Sequence, residues 1–203
     1  MPDTILFIYL VNDGSTQGVE PENIALLQHT LVNFTYLDYP RNRGKGYALR
    51  LGTNASQHLF CIYTDIDFPY SPESLVQVYR ALLEQKADIA VGVRKENYYQ
   101  QVPGIRAGIS KLLKYFNKWV LRLPVADTQC GLKGFNRQGR QMFLNTTTNR
   151  YLFDLEFMLL ASRSPGLQLI PVQVQLRPGI IFRKMHLGLL LAEGKSLLHI
   201  LFR

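Results

Sequence analysis

Short apolar runs alternate with helical segments along the first half of the chain, and this alternation constrains the fold more than any other feature. Runs without polar alternation are typical of strands buried on both faces. The predicted strands are residues 5–11, 33–37, 59–63 and 89–92, and the predicted helices are residues 21–31, 44–55 and about 72–85. Ser71-Pro72 is a favourable helix start, with serine as N-cap and proline at the first helical position. The pattern predicts an α/β domain with a mostly parallel sheet flanked by helices.

The composition is that of a folded chain whose cysteines do not form a framework. Of its 203 residues, 47% are hydrophobic and 19% are charged, which excludes disorder and fibrous repeats. Cys61 and Cys130 lack the spacing of a disulfide framework or a zinc ribbon. We find no signal peptide and no apolar run near the roughly 18 residues of a membrane span. We therefore expect a soluble protein of the reducing interior of the cell.

Charge is segregated along the chain, whose formal net charge is +8. Residues 1–93 carry six lysines and arginines against ten acids, a net of −4. Residues 94–140 carry ten against two, a net of +8, and residues 177–203 carry five against one, a net of +4. An acidic half suits a metal ion, and a basic half suits phosphates, an anionic membrane or nucleic acid. A merely solvated basic face is the alternative.

Two helices are predicted in the second half, one amphipathic and one apolar. The first has one apolar side and a second side lined by basic residues. Its apolar residues are Ile105, Ile109, Leu112, Leu113, Phe116 and Val120, and its basic residues are Lys111, Lys114, Lys118 and Arg122. The second helix covers residues 152–160, with Asp154 and Glu156 near its start. Acids in a first turn are often only partners of the helix dipole.

Acidic side chains follow two of the predicted strands. Asp13 comes after residues 5–11, and Asp65 and Asp67 come after residues 59–63. Ligands of open α/β sheets bind at the carboxyl ends of the strands. Two carboxylates that flank one residue repel each other unless a cation lies between or beside them, so a divalent metal is a natural partner. Considered alone, the pair also fits an ordinary acidic turn.

The segment 42–46 places two glycines and Lys45 at a helix start. Free backbone N–H groups and the helix dipole can hold a phosphate there, and the lysine adds a positive charge. The spacing matches neither a Walker A loop nor the dinucleotide fingerprint. A tight strand-to-helix turn is the alternative interpretation.

Asp127 is the only acid between Arg106 and Arg150. Such an isolated carboxylate is either a structural counter-ion or a positioned catalytic group, and its spacing does not decide between them. The nearby Cys130 is more typical of a small buried residue than of a nucleophile.

Taken in order, these motifs resemble a family 2 glycosyltransferase of the GT-A fold, a Rossmann-like α/β architecture. The similarity covers about residues 5–200 and is greatest to polyprenyl-phosphate hexose synthases of the dolichyl-phosphate glucose and mannose synthase type. The motifs are Val11-Asn12-Asp13-Gly14-Ser15-Thr16, Asn42-x-Gly44-Lys45-Gly46-x-Ala48, Asp65-x-Asp67, Gly92-x-Arg94, Asp127-Thr128-Gln129-Cys130-Gly131-x-Lys133 and Arg150-x-x-Phe153-Asp154-x-Glu156.

The resemblance implies inverting transfer of a hexose from a nucleotide diphosphate sugar, of the UDP-glucose kind, to a polyprenyl phosphate. Asp13 would contact the base or ribose, and Lys45 would help to hold the nucleotide. Asp65 and Asp67 would bind Mg²⁺ or Mn²⁺ bridging the diphosphate, and Arg94 would lie near those phosphates. A metal neutralises the charge that develops on such a leaving group.

The same resemblance assigns the remaining motif residues to the acceptor. Asp127 would lie beside it, with Lys133, Asp154 and Glu156 on the acceptor side. Because the phosphate of a polyprenol is already an anion, it scarcely needs a general base. Asp127 would then orient a basic residue or the acceptor rather than take a proton.

The sequence departs from the family pattern in two ways. Family members begin with a strand and a helix before the strand matched here by residues 5–11, and that first strand lies inside the sheet and lines the nucleotide pocket. The catalytic domain, residues 1–176, is therefore expected to be N-terminally incomplete, either because the natural chain begins upstream or because the sheet closes around a gap and binds the nucleotide less tightly. Pro69 stands where some mannose-type members place a metal-coordinating glutamine.

Residues 177–203 read as a basic amphipathic helical segment next to a membrane. Such a segment can lie in a membrane interface, with each basic residue adding about 1 kcal/mol on anionic lipid. A terminal helix docked on its own domain is the alternative. We expect peripheral attachment at the cytoplasmic, inner face of a membrane, directly or through a membrane-protein partner. The apolar side of this predicted helical segment consists of Leu187, Leu190, Leu191, Leu197, Leu198 and Leu201.

Three other functions remain open from the sequence. One is a glycosyltransferase with a soluble sugar or glycan acceptor, and another is a non-catalytic relative that serves as a binding protein. A nucleic-acid binder is indicated only by the isoelectric point of about 9.6, without a recognised binding motif. We therefore expect no nucleic-acid partner.

Overall fold

The structure is a computed structural model that describes residues 4–94 and 104–180, apart from the side chains of residues 105–107 and 109. The strands in these ranges are β1 (Ile8–Asp13), β2 (Phe34–Tyr39), β3 (Cys61–Tyr63), β4 (Ile89–Arg94), β5 (Lys133–Phe135) and β6 (Leu169–Val174). The α-helices are α1 (Pro21–Thr30), α2 (Lys45–Ala55), α3 (Pro72–Leu83), α4 (Gly104–Tyr115), α5 (Arg137–Leu144) and α6 (Phe153–Ser162). A π-helix, Phe116–Val120, continues α4. None of these helices is long and apolar enough to cross a bilayer.

The strands form two sheets. Parallel β1 and β2 make the first, and the second has the order β3-β5-β4-β6. Strand β5 is antiparallel to both of its neighbours, whereas β4 and β6 are parallel. The α/β class is confirmed, and the larger sheet is mixed because β5 enters it against the direction of the others. As β3 and β4 both run against β5, their carboxyl ends lie at the same edge of the sheet.

Most elements of the first half lie where the sequence predicts them. Helix α3 begins as expected, with the amide of Ser74 donating to the Ser71 hydroxyl at 3.4 Å and Pro72 at the first helical position. The predicted helices at 44–55 and 152–160 are confirmed as α2 and α6. Three later elements, β5, α5 and β6, were not predicted, and β5 is only three residues long. The C-terminal segment beyond residue 180 lies outside the described residues.

Hydrophobic side chains cover both faces of the larger sheet. On one face an aromatic cluster joins β3 and β5 to α5 and α6. Its members are Tyr63, Phe135, Phe143, Phe153 and Phe157, all less than 9% exposed. On the other face α3 packs Val78, Ala81 and Leu82 against Ala90, Leu132 and Val174. These two layers fix the strand ends at which the predicted site residues lie.

Candidate active site

The predicted site residues gather at the carboxyl ends of three strands. Asp13 is the last residue of β1, Asp65 lies two residues after β3, and Arg94 is the last residue of β4. This is the edge at which open α/β sheets bind their ligands. The loop after β3 also carries Asp67, and the loop before β5 carries Asp127.

Lys45 and Asp65 form an ion pair beside the backbone of Gly131. The Lys45 ammonium contacts Asp65 Oδ1 directly. Burial lowers the pKa of Lys45, but the carboxylates of Asp65 and Asp154 outweigh it and hold that pKa above its ordinary value. A Cβ atom at residue 131 would collide with the carboxylate of Asp65. Only glycine at this position therefore leaves the carboxylate where it stands.

Asp67 presents an exposed carboxylate two residues further along the same loop. Its side chain makes no hydrogen bond or ion pair among the described residues, while its backbone oxygen accepts a 2.7 Å hydrogen bond from Arg177. Phe68 follows with a φ of 44°, a left-handed conformation uncommon for a non-glycine residue. The loop thus turns sharply just after the second aspartate.

Asp65 and Asp67 suit a hard divalent cation, although they are only two ligands. Carboxylate oxygens are what Mg²⁺ prefers, commonly one or two of them together with substrate phosphates and water. Within the described ranges no group of three histidines, cysteines or acids could hold a metal ion by itself. The donor set therefore fits a metal that arrives with a diphosphate better than a metal held by protein alone.

Asp127 is a buried carboxylate enclosed by positive charge. Its Oδ1 accepts from Arg94 Nη2 at 2.5 Å, and its Oδ2 accepts from the Arg94 amide at 2.9 Å and from Nε at 3.0 Å. Lys114 from α4 lies 3.5 Å away. Burial raises the pKa of Asp127, but the hydrogen bonds and charge of Arg94 and the charge of Lys114 lower it overall. Asp127 is thus an ionised anchor for two cations.

Asn117, in the π-helix, fixes the turn that carries Asp127. Its amide nitrogen donates to Ala126 O and to Thr128 Oγ1, both at 2.9 Å, so it brackets the aspartate on either side. The Thr128 amide closes the turn by donating to Ala126 O at 3.1 Å. Asn117 is 1% exposed. Its Oδ1 is the one buried side-chain nitrogen or oxygen among the described residues that has no hydrogen-bond partner. π-Helical turns are frequent at functional sites.

Asp13 organises the loop in front of α2. Its carboxylate accepts from the Tyr39 hydroxyl at 2.7 Å, from Asn42 Nδ2 at 2.9 Å, and from the amides of Arg43 at 2.7 Å and Gly44 at 2.9 Å. The amides of Arg43 and Gly44, in the segment predicted to offer free amides to a phosphate, are therefore already bonded. The nucleotide contact expected of Asp13 stays a prediction.

A second loop meets this one from the far end of the chain. The Gly46 amide donates to Asn149 O at 2.7 Å, and a Cβ at Gly46 would collide with Thr148 O. Glu156, 2% exposed, anchors that loop by accepting from the amides of Thr147 and Thr148. Burial raises the pKa of Glu156, but these hydrogen bonds lower it overall.

Lys133 and Asp154 form a fully buried ion pair behind the Lys45–Asp65 pair. Lys133 Nζ lies 2.6 Å from Asp154 Oδ1 and donates to Cys130 O, also at 2.6 Å. The Tyr63 hydroxyl donates to the same carboxylate oxygen at 2.5 Å, and burial together with the charge of Asp154 raises the pKa of this tyrosine. Lys133, Asp154 and Glu156 therefore lie in the interior, and their predicted place on the acceptor side stays a prediction.

Sequence reasoning missed Tyr63, Lys114 and Asn117. Lys114 looked like one of four solvated lysines and arginines on a helix face, and only the fold turns it towards Asp127. Tyr63 was one residue of an apolar run. The signal that could have identified Asn117 is its type, because a lone amide inside an apolar helical segment requires a partner when buried.

Comparison with known proteins identifies the family and the architecture. The sequence profile described as Glycosyl transferase family 2 matches residues 4–142. Similar proteins include a dolichyl-phosphate beta-glucosyltransferase of Dictyostelium discoideum, 27% identical over 165 residues, which are 77% of this chain and 50% of that protein. One of Drosophila melanogaster is 28% identical over 173 residues, 79% of this chain and 52% of that protein. The chain spans about half the length of these relatives.

Solved structures share the fold at low identity. Mannosyl-3-phosphoglycerate synthase from Rubrobacter xylanophilus superposes with a TM-score of 0.65 at 15% identity, covering 98% of this chain and 63% of that one. Glucosyl-3-phosphoglycerate synthase from Mycobacterium tuberculosis, solved with Mn²⁺, uridine diphosphate and phosphoglyceric acid, gives 0.63 at 14% identity and covers 96% and 66%. The architecture is that of GT-A glycosyltransferases. With the family profile spanning well over half of its residues, the chain belongs to Glycosyl transferase family 2.

Proposed function

We propose that the chain transfers a hexosyl group, with inversion, from a nucleotide diphosphate sugar to a polyprenyl phosphate. The observation that carries this proposal is the cluster of Arg94 and Lys114 around Asp127. An acceptor hydroxyl needs a base, whereas a phosphate acceptor is an anion that needs cations to hold it. Asp127 is held ionised by two cations and is poorly suited to take a proton. The names of the similar dolichyl-phosphate glucosyltransferases support the same acceptor class and a glucosyl group, and we propose UDP-glucose as the donor.

On the donor side, Asp65 and Asp67 would hold Mg²⁺ or Mn²⁺ at the diphosphate. When bound, such a cation neutralises charge that develops on the departing nucleoside diphosphate. Lys45, which contacts Asp65, would bind an oxygen of the same diphosphate. Asp13 would contact the nucleoside, or would act through the loop that it already holds in front of α2.

On the acceptor side, Arg94 and Lys114 would bind the acceptor phosphate while Asp127 keeps them in place. One acceptor oxygen forms the new bond to the anomeric carbon as the bond to the diphosphate oxygen breaks on the opposite face. No proton has to be removed in this step, and the electron pair of the broken bond leaves with the nucleoside diphosphate. Lys133, Asp154 and Glu156 would support the site from within.

A lipid acceptor requires a membrane surface, so we place the reaction at the inner, cytoplasmic face of a membrane with the chain attached peripherally. The basic residues at 177–203 support this location through their net charge of +4. Attachment through a membrane-protein partner would serve equally well. Substitution of Leu190 and Leu198 by serine tests whether this segment contributes to binding.

The decisive experiment compares acceptors and donors on the same protein. Transfer from radiolabelled UDP-glucose or GDP-mannose is measured with a polyprenyl phosphate, with 3-phosphoglycerate and with neutral glycans, with and without Mn²⁺. We expect metal-dependent transfer to the lipid phosphate, and we expect Asp67→Ala to abolish it while the fold is retained. Transfer to neutral glycans alone would show that a polyprenyl phosphate is not the acceptor. A protein that binds no nucleotide at all would be a non-catalytic relative.

The pH dependence of the reaction tests the role of Asp127 separately. Without a general base, the pH profile of transfer to the lipid phosphate should keep its shape in Asp127→Asn, with a lower rate at every pH. The pKa of Asp127 is lowered, so a general base at this position would make the rate rise with pH in the acid range. If Asp127→Asn removes such a rise, the carboxylate takes a proton and the phosphate-anion mechanism is wrong.

A further inference from the structure

The helix formed by α4 and the following π-helix departs from the usual amphipathic arrangement, because three of its polar side chains face the protein. Ser110 accepts from Arg94 Nη2 at 3.4 Å, Lys114 lies 3.5 Å from Asp127, and Asn117 is buried. On a surface helix in water, these polar residues would be expected on the outside.

Four apolar or aromatic side chains of the same helix face outward. They recur at positions 112, 115, 119 and 120, a spacing that puts them on one side of a helix, and we name this set the outer face. Its members and their exposed fractions are Leu112 at 70%, Tyr115 at 66%, Trp119 at 67% and Val120 at 63%. A contiguous exposed apolar patch on a folded domain marks an interaction surface.

Charge around the outer face selects the kind of partner. Residues 104–126 contain five lysines and arginines and not one acid. Lys111 and Lys118 are exposed, and Lys118 Nζ lies 5.5 Å from the centre of the Trp119 ring. Tryptophan and tyrosine favour the boundary between lipid headgroups and acyl chains, and lysine can extend its ammonium back to the phosphates.

We propose that the outer face of α4 and its π-helix is the surface on which the protein docks on an anionic lipid bilayer. This proposal rests on the proposed function. One side of the helix would meet lipid, while Lys114 on the other side lies beside Asp127. Docking there would set the Arg94–Asp127 cluster beside the headgroups of the acceptor. The outer face is separate in sequence from the segment at 177–203.

The chain contains its own probe for this proposal, since Trp119 is its only tryptophan. Fluorescence of the full chain is recorded as vesicles of phosphatidylcholine, with or without phosphatidylglycerol, are added. We expect a blue shift of the Trp119 emission with anionic vesicles, quenching by brominated acyl chains, and weakening of both effects by salt.

Matched variants separate the outer face from other exposed apolar residues. Leu112→Ser combined with Val120→Ser should lower the partition coefficient about tenfold or more, because two apolar side chains no longer enter the interface. Lys118→Gln should lower it about fivefold. Leu26→Ser on α1 is the control, because Leu26 is 63% exposed on a different surface and its loss should leave binding unchanged.

Two outcomes would overturn the proposal. One is vesicle binding that leaves the Trp119 emission unchanged, which would assign attachment to another surface, and the other is a failure to bind anionic vesicles at all. Mn²⁺-dependent binding of UDP, measured on the same proteins by thermal unfolding, reports on the donor site independently. If the protein binds UDP but not vesicles, the docking surface is wrong and the donor site is unaffected. If the protein docks on vesicles but transfers no sugar, the proposed function is wrong and the docking surface is unaffected.

Discussion

The ammonium of Lys45 contacts the carboxylate of Asp65, so the first aspartate of the Asp65-x-Asp67 pair already has a cationic partner within the protein. A divalent metal at Asp65 and the Lys45 ammonium would compete for the same oxygen. A diphosphate carried in with the metal gives Lys45 a second anion to bind. If donor and metal bind here as proposed, the ion pair would be exchanged when they enter together.

Replacement of Lys45 should have opposite effects on metal and on nucleotide. In Lys45→Met, affinity for Mn²⁺ alone should rise about tenfold, because a competing cation is gone, and affinity for UDP at saturating Mn²⁺ should fall about tenfold, because a charged hydrogen bond to phosphate is lost. Titration followed by Mn²⁺ electron paramagnetic resonance and by calorimetry measures both constants. Lys86→Met is the exposed control, and a loss of both affinities in Lys45→Met would contradict the exchange.

Gly131→Ala should displace Asp65 without unfolding the protein. The new methyl group collides with the end of a flexible side chain, which can rotate away at little cost. We expect stability within about 1 kcal/mol of the parent and a fall of tenfold or more in Mn²⁺-dependent UDP affinity. Gly108→Ala on α4, where an added Cβ meets nothing within 4 Å, is the matched control. Normal UDP binding by Gly131→Ala would show that the position of Asp65 does not matter.

Lys133→Met should destabilise the fold by about 3–5 kcal/mol, because it leaves the Asp154 carboxylate buried with the Tyr63 hydroxyl, at 2.5 Å, as its remaining hydrogen-bond partner among the described residues. Urea unfolding measures the loss. Addition of Asp154→Leu should recover part of it, since the uncompensated charge then disappears. A single variant as stable as the parent would mean that water or another cation reaches Asp154.

Asp127 should make stability depend on pH in acid. Its pKa is lowered in the folded protein, so the stabilisation is complete above the unfolded value near 4 and is lost as pH falls through the lower folded value. The free energy of unfolding of Asp127→Asn should therefore lie below that of the parent at pH 7, and the gap should narrow below about pH 4. Parallel curves from pH 7 to 3 would contradict the lowered pKa.

The sequence predicts the elements of the first half because apolar runs and helix starts are local signals. Ser71-Pro72 begins α3 where it was expected, and the apolar run at 89–92 is confirmed as β4. Strand β5 could not be found this way. Its three residues, Lys133–Phe135, contain one buried lysine and one glycine, and they form a strand only because β3 and β4 lie on either side.

Partners across the site were beyond sequence reasoning for a different reason. A helical pattern at 105–120 shows two sides but not which of them faces the protein. The cations Arg94 and Lys114 need a counter-ion, and Asp127 binds both, so Lys114 turns inward while Lys111 and Lys118 stay exposed. The same reasoning applies to Asp13, whose expected ligand is a nucleotide and whose carboxylate in the structure accepts hydrogen bonds from Tyr39 and from the loop in front of α2.

The hydrogen bond from Gly46 to Asn149 joins segments that are about one hundred residues apart in the chain. Amides in the first turn of a helix ordinarily exchange their hydrogen with solvent quickly, because no preceding carbonyl of the helix accepts from them. Here the Gly46 hydrogen exchanges only when the two loops part. Its exchange rate therefore measures how often these two loops separate, and not how often the first turn of α2 frays.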